Sequence, residues 1–177
     1  MARLFPILLL AARAVFAQAD SAEEWRRLGL ARIASGQRKQ ATPALEKACE
    51  LEKAPGDSCY YLARNRHALG EYEAARKAFD LALLAVPPGM KASVYRAAAL
   101  NYTALGKSEE AERDFRKAMA LGTPGPDDVR VDLGAFLFRQ GRVAEASALL
   151  EIAVQANPES AREPGIRPRA ATTWPAG

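Results

Sequence analysis

The stretch that decides the fold is residues 61–80, which read YLARNRHALGEYEAARKAFD. A lone glycine, Gly70, closes its first half, and glycine supplies the left-handed backbone conformation that ends a helix. The second half places a small residue, Ala75, and a large apolar one, Phe79, in a second helix. The stretch therefore predicts two helices joined by a tight turn.

The same arrangement recurs along the chain. Glycines at Gly36, Gly70, Gly106 and Gly141 are separated by 34, 36 and 35 residues, a period typical of helical solenoids. Alignment on this glycine brings three columns of small residues into register: Ala41, Ala75, Ala111 and Ala146 five residues later, Ala48, Ala82, Ala118 and Ala153 twelve later, and Gly29, Ala63, Ala99 and Gly134 seven before. Four columns in register indicate an internal repeat.

These columns suit two antiparallel helices at close range, because small residues let the helix backbones approach. Large apolar residues then fill the remaining gaps: Leu45, Phe79, Phe115 and Leu150 in the second helices, and Trp25, Leu28, Leu62, Tyr95 and Leu133 in the first. Each helix pair has apolar surface on two sides, so it must stack on its neighbours.

The sequence resembles the tetratricopeptide repeat family. Trp25-Arg26-Arg27-Leu28-Gly29 fits the opening of that repeat, and Ala75 with Phe79 and Ala111 with Phe115 fit its second helix. The repeats are predicted at 22–55, 56–89, 92–125 and 127–160, within a domain spanning 20–158. The resemblance implies an all-α fold, an α-solenoid of antiparallel helix pairs in a right-handed superhelix.

Prolines mark expected boundaries. Pro87 and Pro158 fall where the repeat ends its second helix, while Thr42-Pro43 predicts that the second helix of repeat one begins near residue 43. The proline-rich tail 159–177 has almost no apolar content. We expect it to be disordered and to provide no capping helix.

The charge balance excludes one class of partner. The chain has 25 basic and 21 acidic residues, a formal net charge of +4. Met1–Ala19 contains Arg3 and Arg13 and no acidic residue. Without this segment, 23 basic and 21 acidic residues remain, a net charge of +2. No dense basic stripe is present, so nucleic-acid binding is not expected.

The N-terminus resembles an export signal. Arg3 precedes the apolar stretch 4–12, and Ala17-Gln18-Ala19 has the small-x-small form of a cleavage site. We predict a signal peptide over 1–19, a mature chain starting at Asp20, and a periplasmic or secreted location. The apolar stretch is too short to span a bilayer, so no integral membrane segment is expected in the mature chain. An uncleaved arm, a mitochondrial presequence and a cytoplasmic location are the alternatives.

Residues for catalysis are sparse. The one histidine, His67, has no second histidine for a metal site, and phosphate-binding glycine loops are absent from the sequence. We therefore predict no enzyme activity, no catalytic residue, no metal and no cofactor.

The two cysteines, Cys49 and Cys59, lie late in one predicted helix and early in the next. Since these helices are antiparallel neighbours, the two side chains could face each other and form a disulfide in an exported protein. Two buried thiols are the alternative.

Helix geometry predicts a partner surface. With about 100° per residue, positions two, five, nine and twelve of each first helix point away from the core and into a concave groove. Arginine and tyrosine recur there, and arginine grips carboxylates in bidentate fashion. The predicted partner-binding residues are Arg26, Tyr60, Arg64, His67 and Arg96. A solvated face is the alternative.

These features predict a non-enzymatic module that binds a peptide or helix of a protein partner, which could be acidic, in its groove. The alternative is a self-assembling subunit. Without a capping helix, the last repeat would present an apolar face that a second copy could cover: Leu149, Leu150, Ile152 and Val154.

Overall fold

The computed structural model describes residues 21–52, 57–122 and 129–156. The predicted signal peptide (1–19), Pro158 and the tail 159–177 lie outside the described residues. Within them the chain forms eight helices: α1 (Ala22–Ala34), α2 (Arg38–Leu51), α3 (Asp57–Ala68), α4 (Tyr72–Ala85), α5 (Pro88–Ala104), α6 (Ser108–Leu121), α7 (Val129–Arg139) and α8 (Val143–Ala156).

Each helix packs against the next one along the chain, and α3 also contacts both α1 and α5. The result is an α-solenoid of four helix pairs, so the predicted fold class is confirmed for the described residues. Because each repeat contacts only its neighbours, the buried core runs between successive helix pairs along the solenoid.

The repeated glycines end the first helix of each pair. Their φ angles are 75° at Gly36, 79° at Gly70, 71° at Gly106 and 79° at Gly141. At the second turn the Gly70 amide donates to the His67 carbonyl (3.0 Å) and the Glu71 amide to the Arg66 carbonyl (2.9 Å). These bonds satisfy carbonyls at the helix end, as the sequence predicted for a left-handed glycine cap.

The small-residue columns let helices approach closely. A Cβ atom added to Gly29 would lie 2.6 Å from Cγ of Leu45, while Ala63 and Ala99 are fully buried. Leu45, Phe79 and Phe115 fill the second-helix column with at most 2% exposure. Leu150, in the same column of the last repeat, is 36% exposed because no described residue packs beyond it.

The predicted start of the second helix was wrong. Helix α2 begins at Arg38, and Pro43 lies inside it. Two tertiary interactions hold its first turn: Ala41 is fully buried, and the Asn65 side chain of α3 donates to the Arg38 carbonyl at 3.0 Å. These contacts outweigh the local preference of Thr42-Pro43 for a helix start.

No helix in the described part of the chain is long and apolar enough to cross a membrane.

Candidate functional site

A pocket of about 360 Å³ opens between the first helices of repeats one, two and three. We call it the groove pocket. Its apolar lining comes from residues of α1, α4 and α5 and from Ala68 of α3, and its polar lining comes from α3 and from Arg38 of α2. The lining residues are Leu30, Ile33, Phe79, Ala97 and Leu100, with Arg38, Tyr61, Arg64, Asn65, His67 and Ala68.

The groove pocket is positively charged. Arg38 and Arg64 both line it with exposed side chains, and no carboxylate is among its described lining residues. Neither arginine takes part in an ion pair between described residues. The Arg64 guanidinium lies 5.6 Å from the centre of the Tyr60 ring, a cation–π contact that restricts it without neutralising its charge. Both guanidiniums remain available to a ligand carboxylate.

His67 is held by a hydrogen bond across repeats. Its Nδ1 lies 3.0 Å from Oδ1 of Asn101 on α5, and Nδ2 of Asn101 donates to the Tyr72 carbonyl at 2.9 Å. Because Asn101 donates through Nδ2, its Oδ1 is the acceptor and His67 Nδ1 carries the proton.

Two asparagines in one repeat column are functional-site residues that the sequence analysis missed. Nδ2 of Asn65 donates to the Arg38 carbonyl and to Oγ1 of Thr42 (3.1 Å), as Nδ2 of Asn101 does to the Tyr72 carbonyl. Asn65 is fully buried and lines the groove pocket. Their shared place, five residues before the repeated glycine, is the signal that could have found them.

Two of the predicted binding arginines lie away from the pocket. Nη1 of Arg26 is 3.2 Å from Oε1 of Glu52 and 3.8 Å from Oδ2 of Asp57, and Nε of Arg96 bonds the Asp132 carboxylate. Both arginines thus bridge one repeat to the next.

The other predicted site residues cluster on α3. Arg64 and His67 line the groove pocket, whereas Tyr60 packs against Phe79, at 6.4 Å between ring centres, and under Arg64. Its neighbour Tyr61 is the tyrosine that lines the pocket.

The two cysteines are adjacent in space. Sγ of Cys49 and Sγ of Cys59 are 1.93 Å apart, bonded as a disulfide between α2 and α3. Within the described residues, no group of three histidine, cysteine or acidic side chains is arranged to hold a metal ion.

Comparison with known proteins supports the fold. A family model described as tetratricopeptide repeat matches residues 102–162. That stretch contains the end of α5 and the helices α6, α7 and α8. No curated protein sequence is significantly similar to the chain.

Several solved structures have the same fold. A crystal structure of MamA is 21% identical, over 85% of this chain and 86% of that one, with a TM-score of 0.73. YrrB, described as a TPR protein with an unusual peptide-binding site, is 17% identical over 83% and 74% of the two chains (TM-score 0.66). PilF of Pseudomonas aeruginosa is 17% identical over 81% and 64% (TM-score 0.70).

Proposed function

We propose that this chain is a non-enzymatic binding module that holds an acidic peptide or helix of a partner protein in its groove. The observation that carries the proposal is the groove pocket, where Arg38 and Arg64 line an apolar cavity and no described lining residue is a carboxylate. An apolar cavity with a few placed polar groups is the usual form of a binding site.

The chemistry favours a carboxylate ligand. Guanidinium groups donate two parallel hydrogen bonds to a carboxylate, and such charge-assisted bonds are stronger than neutral ones. The Tyr60 ring limits the motion of Arg64 before a ligand arrives, which reduces the entropy lost on binding. The apolar wall formed by Leu30, Ile33 and Leu100 would cover the hydrophobic part of the same segment.

The fold agrees with this role. Solenoids present extended concave surfaces, and the structurally similar YrrB is described as having a peptide-binding site. A fold alone does not define a function, so the pocket and its arginines carry the argument.

Affinity capture with the wild-type chain and an Arg64→Glu variant tests the proposal. The charge reversal replaces an attraction with a repulsion, so the captured partner should bind at least tenfold more weakly, about 1.4 kcal/mol. The control is Lys77→Glu on α4, an exposed lysine outside the pocket, which should have little effect. Raised salt should weaken the wild-type complex. Equal effects of the two substitutions on the dissociation constant would contradict the proposal.

Self-assembly is the second candidate function. On α8, Leu150, Ile152 and Val154 are 36%, 48% and 46% exposed, although Leu149 packs into the core. A second copy could cover the exposed side chains. Sedimentation that finds a dimer or polymer, broken by Ile152→Glu, would favour this candidate; a monomer would contradict it.

Export is the remaining part of the proposal. The predicted signal peptide would deliver the chain to an oxidising compartment, where a Cys49–Cys59 disulfide is stable. N-terminal sequencing of exported protein should begin at Asp20. A soluble cytoplasmic pool with Met1 intact would contradict export.

A further inference from the structure

A buried oxygen of the groove pocket has no hydrogen-bond partner among the described residues. Asn65 is fully buried, and its Nδ2 is used twice, yet its Oδ1 accepts no hydrogen bond. A buried acceptor without a donor is costly, and nearly all such groups in folded proteins are paired. Asn65 also lines the groove pocket, so its missing donor could come from a ligand.

The next repeat shows how the equivalent asparagine oxygen is paired within the chain. Asn101 occupies the same repeat position as Asn65, and its Oδ1 is 3.0 Å from His67 Nδ1. The residue of repeat one that matches His67, three places before the repeated glycine, is Ile33. Isoleucine has no donor to offer. The chain thus supplies the hydrogen bond to Asn101 from the preceding repeat and supplies none to Oδ1 of Asn65 from the described residues.

We propose that the groove pocket selects a partner segment whose anchor is an aromatic side chain with a hydrogen-bond donor at its tip, tyrosine or tryptophan, donating to Oδ1 of Asn65. This inference rests on the proposed function and specifies the anchor residue of the bound segment.

The shape and lining of the pocket support this anchor. Its volume of about 360 Å³ accommodates one large side chain, and Leu30, Ile33 and Leu100 give the ring an apolar wall. A lysine or arginine anchor also has donors, but its charge would be repelled by Arg38 and Arg64 at the same pocket. A neutral aromatic side chain with a donor can pack against the apolar wall and donate to Oδ1 of Asn65.

The arginines define what accompanies the anchor. Since Arg64 directly precedes Asn65 on α3 and both line the pocket, a carboxylate close to the anchor in the ligand sequence would reach the Arg64 guanidinium. Oδ1 of Asn65 has less than 1 Å² of accessible surface, so lining side chains must shift when the donor enters. The selected segment is therefore an acidic one with a tyrosine or tryptophan beside the acid.

A peptide library displayed on phage provides the probe. Selection on the full chain should enrich peptides with tyrosine or tryptophan next to aspartate or glutamate. In synthetic copies, Tyr→Phe, or Trp→naphthylalanine, should weaken binding to the wild-type chain roughly tenfold, the order expected for one lost hydrogen bond at a buried acceptor.

One variant of the chain tests the acceptor directly. Ile33→His should supply Asn65 Oδ1 with an internal donor, as His67 does for Asn101, and so abolish the preference for tyrosine over phenylalanine. Ile33→Leu is the matched control, because it leaves the oxygen open and should keep the preference. Melting curves of both variants check the fold, and the tyrosine–phenylalanine comparison on the wild-type chain needs no variant at all.

The outcomes separate this inference from the proposed function. Enriched peptides that depend on Arg64 but bind equally with tyrosine or phenylalanine would overturn the inference and leave the binding groove standing. If no library peptide bound the wild-type chain more tightly than the Arg64→Glu variant, both this inference and the proposed function would be contradicted.

Discussion

His67 of repeat two and Asn101 of repeat three form a hydrogen bond, with Nδ1 and Oδ1 3.0 Å apart, and the same asparagine donates to the Tyr72 carbonyl. One side chain therefore joins three segments beside the groove. Asn101 is 1% exposed, so water cannot replace the bonds that it makes.

Asn101→Leu should lower the free energy of unfolding by about 1–3 kcal/mol, because it leaves the Tyr72 carbonyl and the His67 ring without their partners. Urea unfolding followed by circular dichroism measures this change. His67→Leu removes only one of the bonds and should cost less. If the unfolding curve of Asn101→Leu matched that of the wild type, the position five residues before the repeated glycine would tolerate an apolar residue in repeat three, as it does at Phe136 in repeat four.

Gly70→Val should destabilise the chain by about 1–3 kcal/mol, since a β-branched residue resists the φ of 79° found there. No neighbouring atom lies within 4 Å of an added Cβ, so the cost is backbone strain and not a steric clash. Gly89→Ala is the control, because Gly89 also has open space but lies within α5. Thermal melting compares the two; an unshifted midpoint for Gly70→Val would refute the strain argument.

Reduction of the Cys49–Cys59 disulfide should lower stability by about 2–3 kcal/mol, the chain-entropy value for a loop of roughly ten residues. The double variant Cys49→Ser, Cys59→Ser should unfold at the same lower urea concentration and be insensitive to reductant. Thiol titration of the unfolded, unreduced protein should find no free thiol. Two free thiols in exported material would show that the bridge does not form.

Acid should weaken the contact between repeats three and four. Hydrogen bonds from Arg142, ahead of those from Arg116, lower the pKa of Glu112, and Arg142 does the same to Glu145. A carboxylate with a lowered pKa in the folded state stabilises the fold above its unfolded pKa, and that contribution is lost as pH falls through the folded pKa.

The measurement is the melting midpoint between pH 7 and pH 3 for the wild type and for Arg142→Gln. The variant should be less stable at pH 7 and should lose less stability on acidification, because the pKa values of both carboxyl groups return toward normal. Parallel pH profiles for the two proteins would exclude this ion-pair network as a source of acid sensitivity.

The solenoid could be predicted because its signals are local and repeated. Gly70 and its equivalents adopt the left-handed conformation, the column of Ala63 is buried in all four repeats, and the column of Phe79 is buried in the first three. The start of α2 could not be predicted from Pro43, since the bond from Asn65 that holds its first turn comes from the next repeat.

The site was only partly predictable for a related reason. The face of one helix shows which way Arg26 and Arg96 point, but it does not show their carboxylate partners. Asp57 and Asp132 belong to the following repeats, and Glu52, the nearer partner of Arg26, follows the second helix of the same repeat. Arg64, which has no such partner among the described residues, and His67 do line the pocket. Asn65 was not among the predicted site residues, because the lack of a donor to its oxygen from the described residues is visible only in three dimensions.

The covalent link between Cys49 and Cys59 makes the two ends of the repeat array unequal in stability. An array of repeats in which each repeat contacts only its neighbours unfolds first at its less stable end. Repeats one and two are tied together, whereas α8 has no described neighbour beyond it. Unravelling should therefore begin at the fourth repeat and run toward the N-terminus. Backbone amides of α8 would exchange with solvent first, and those of α3, beside the bridge and under the pocket, would exchange last.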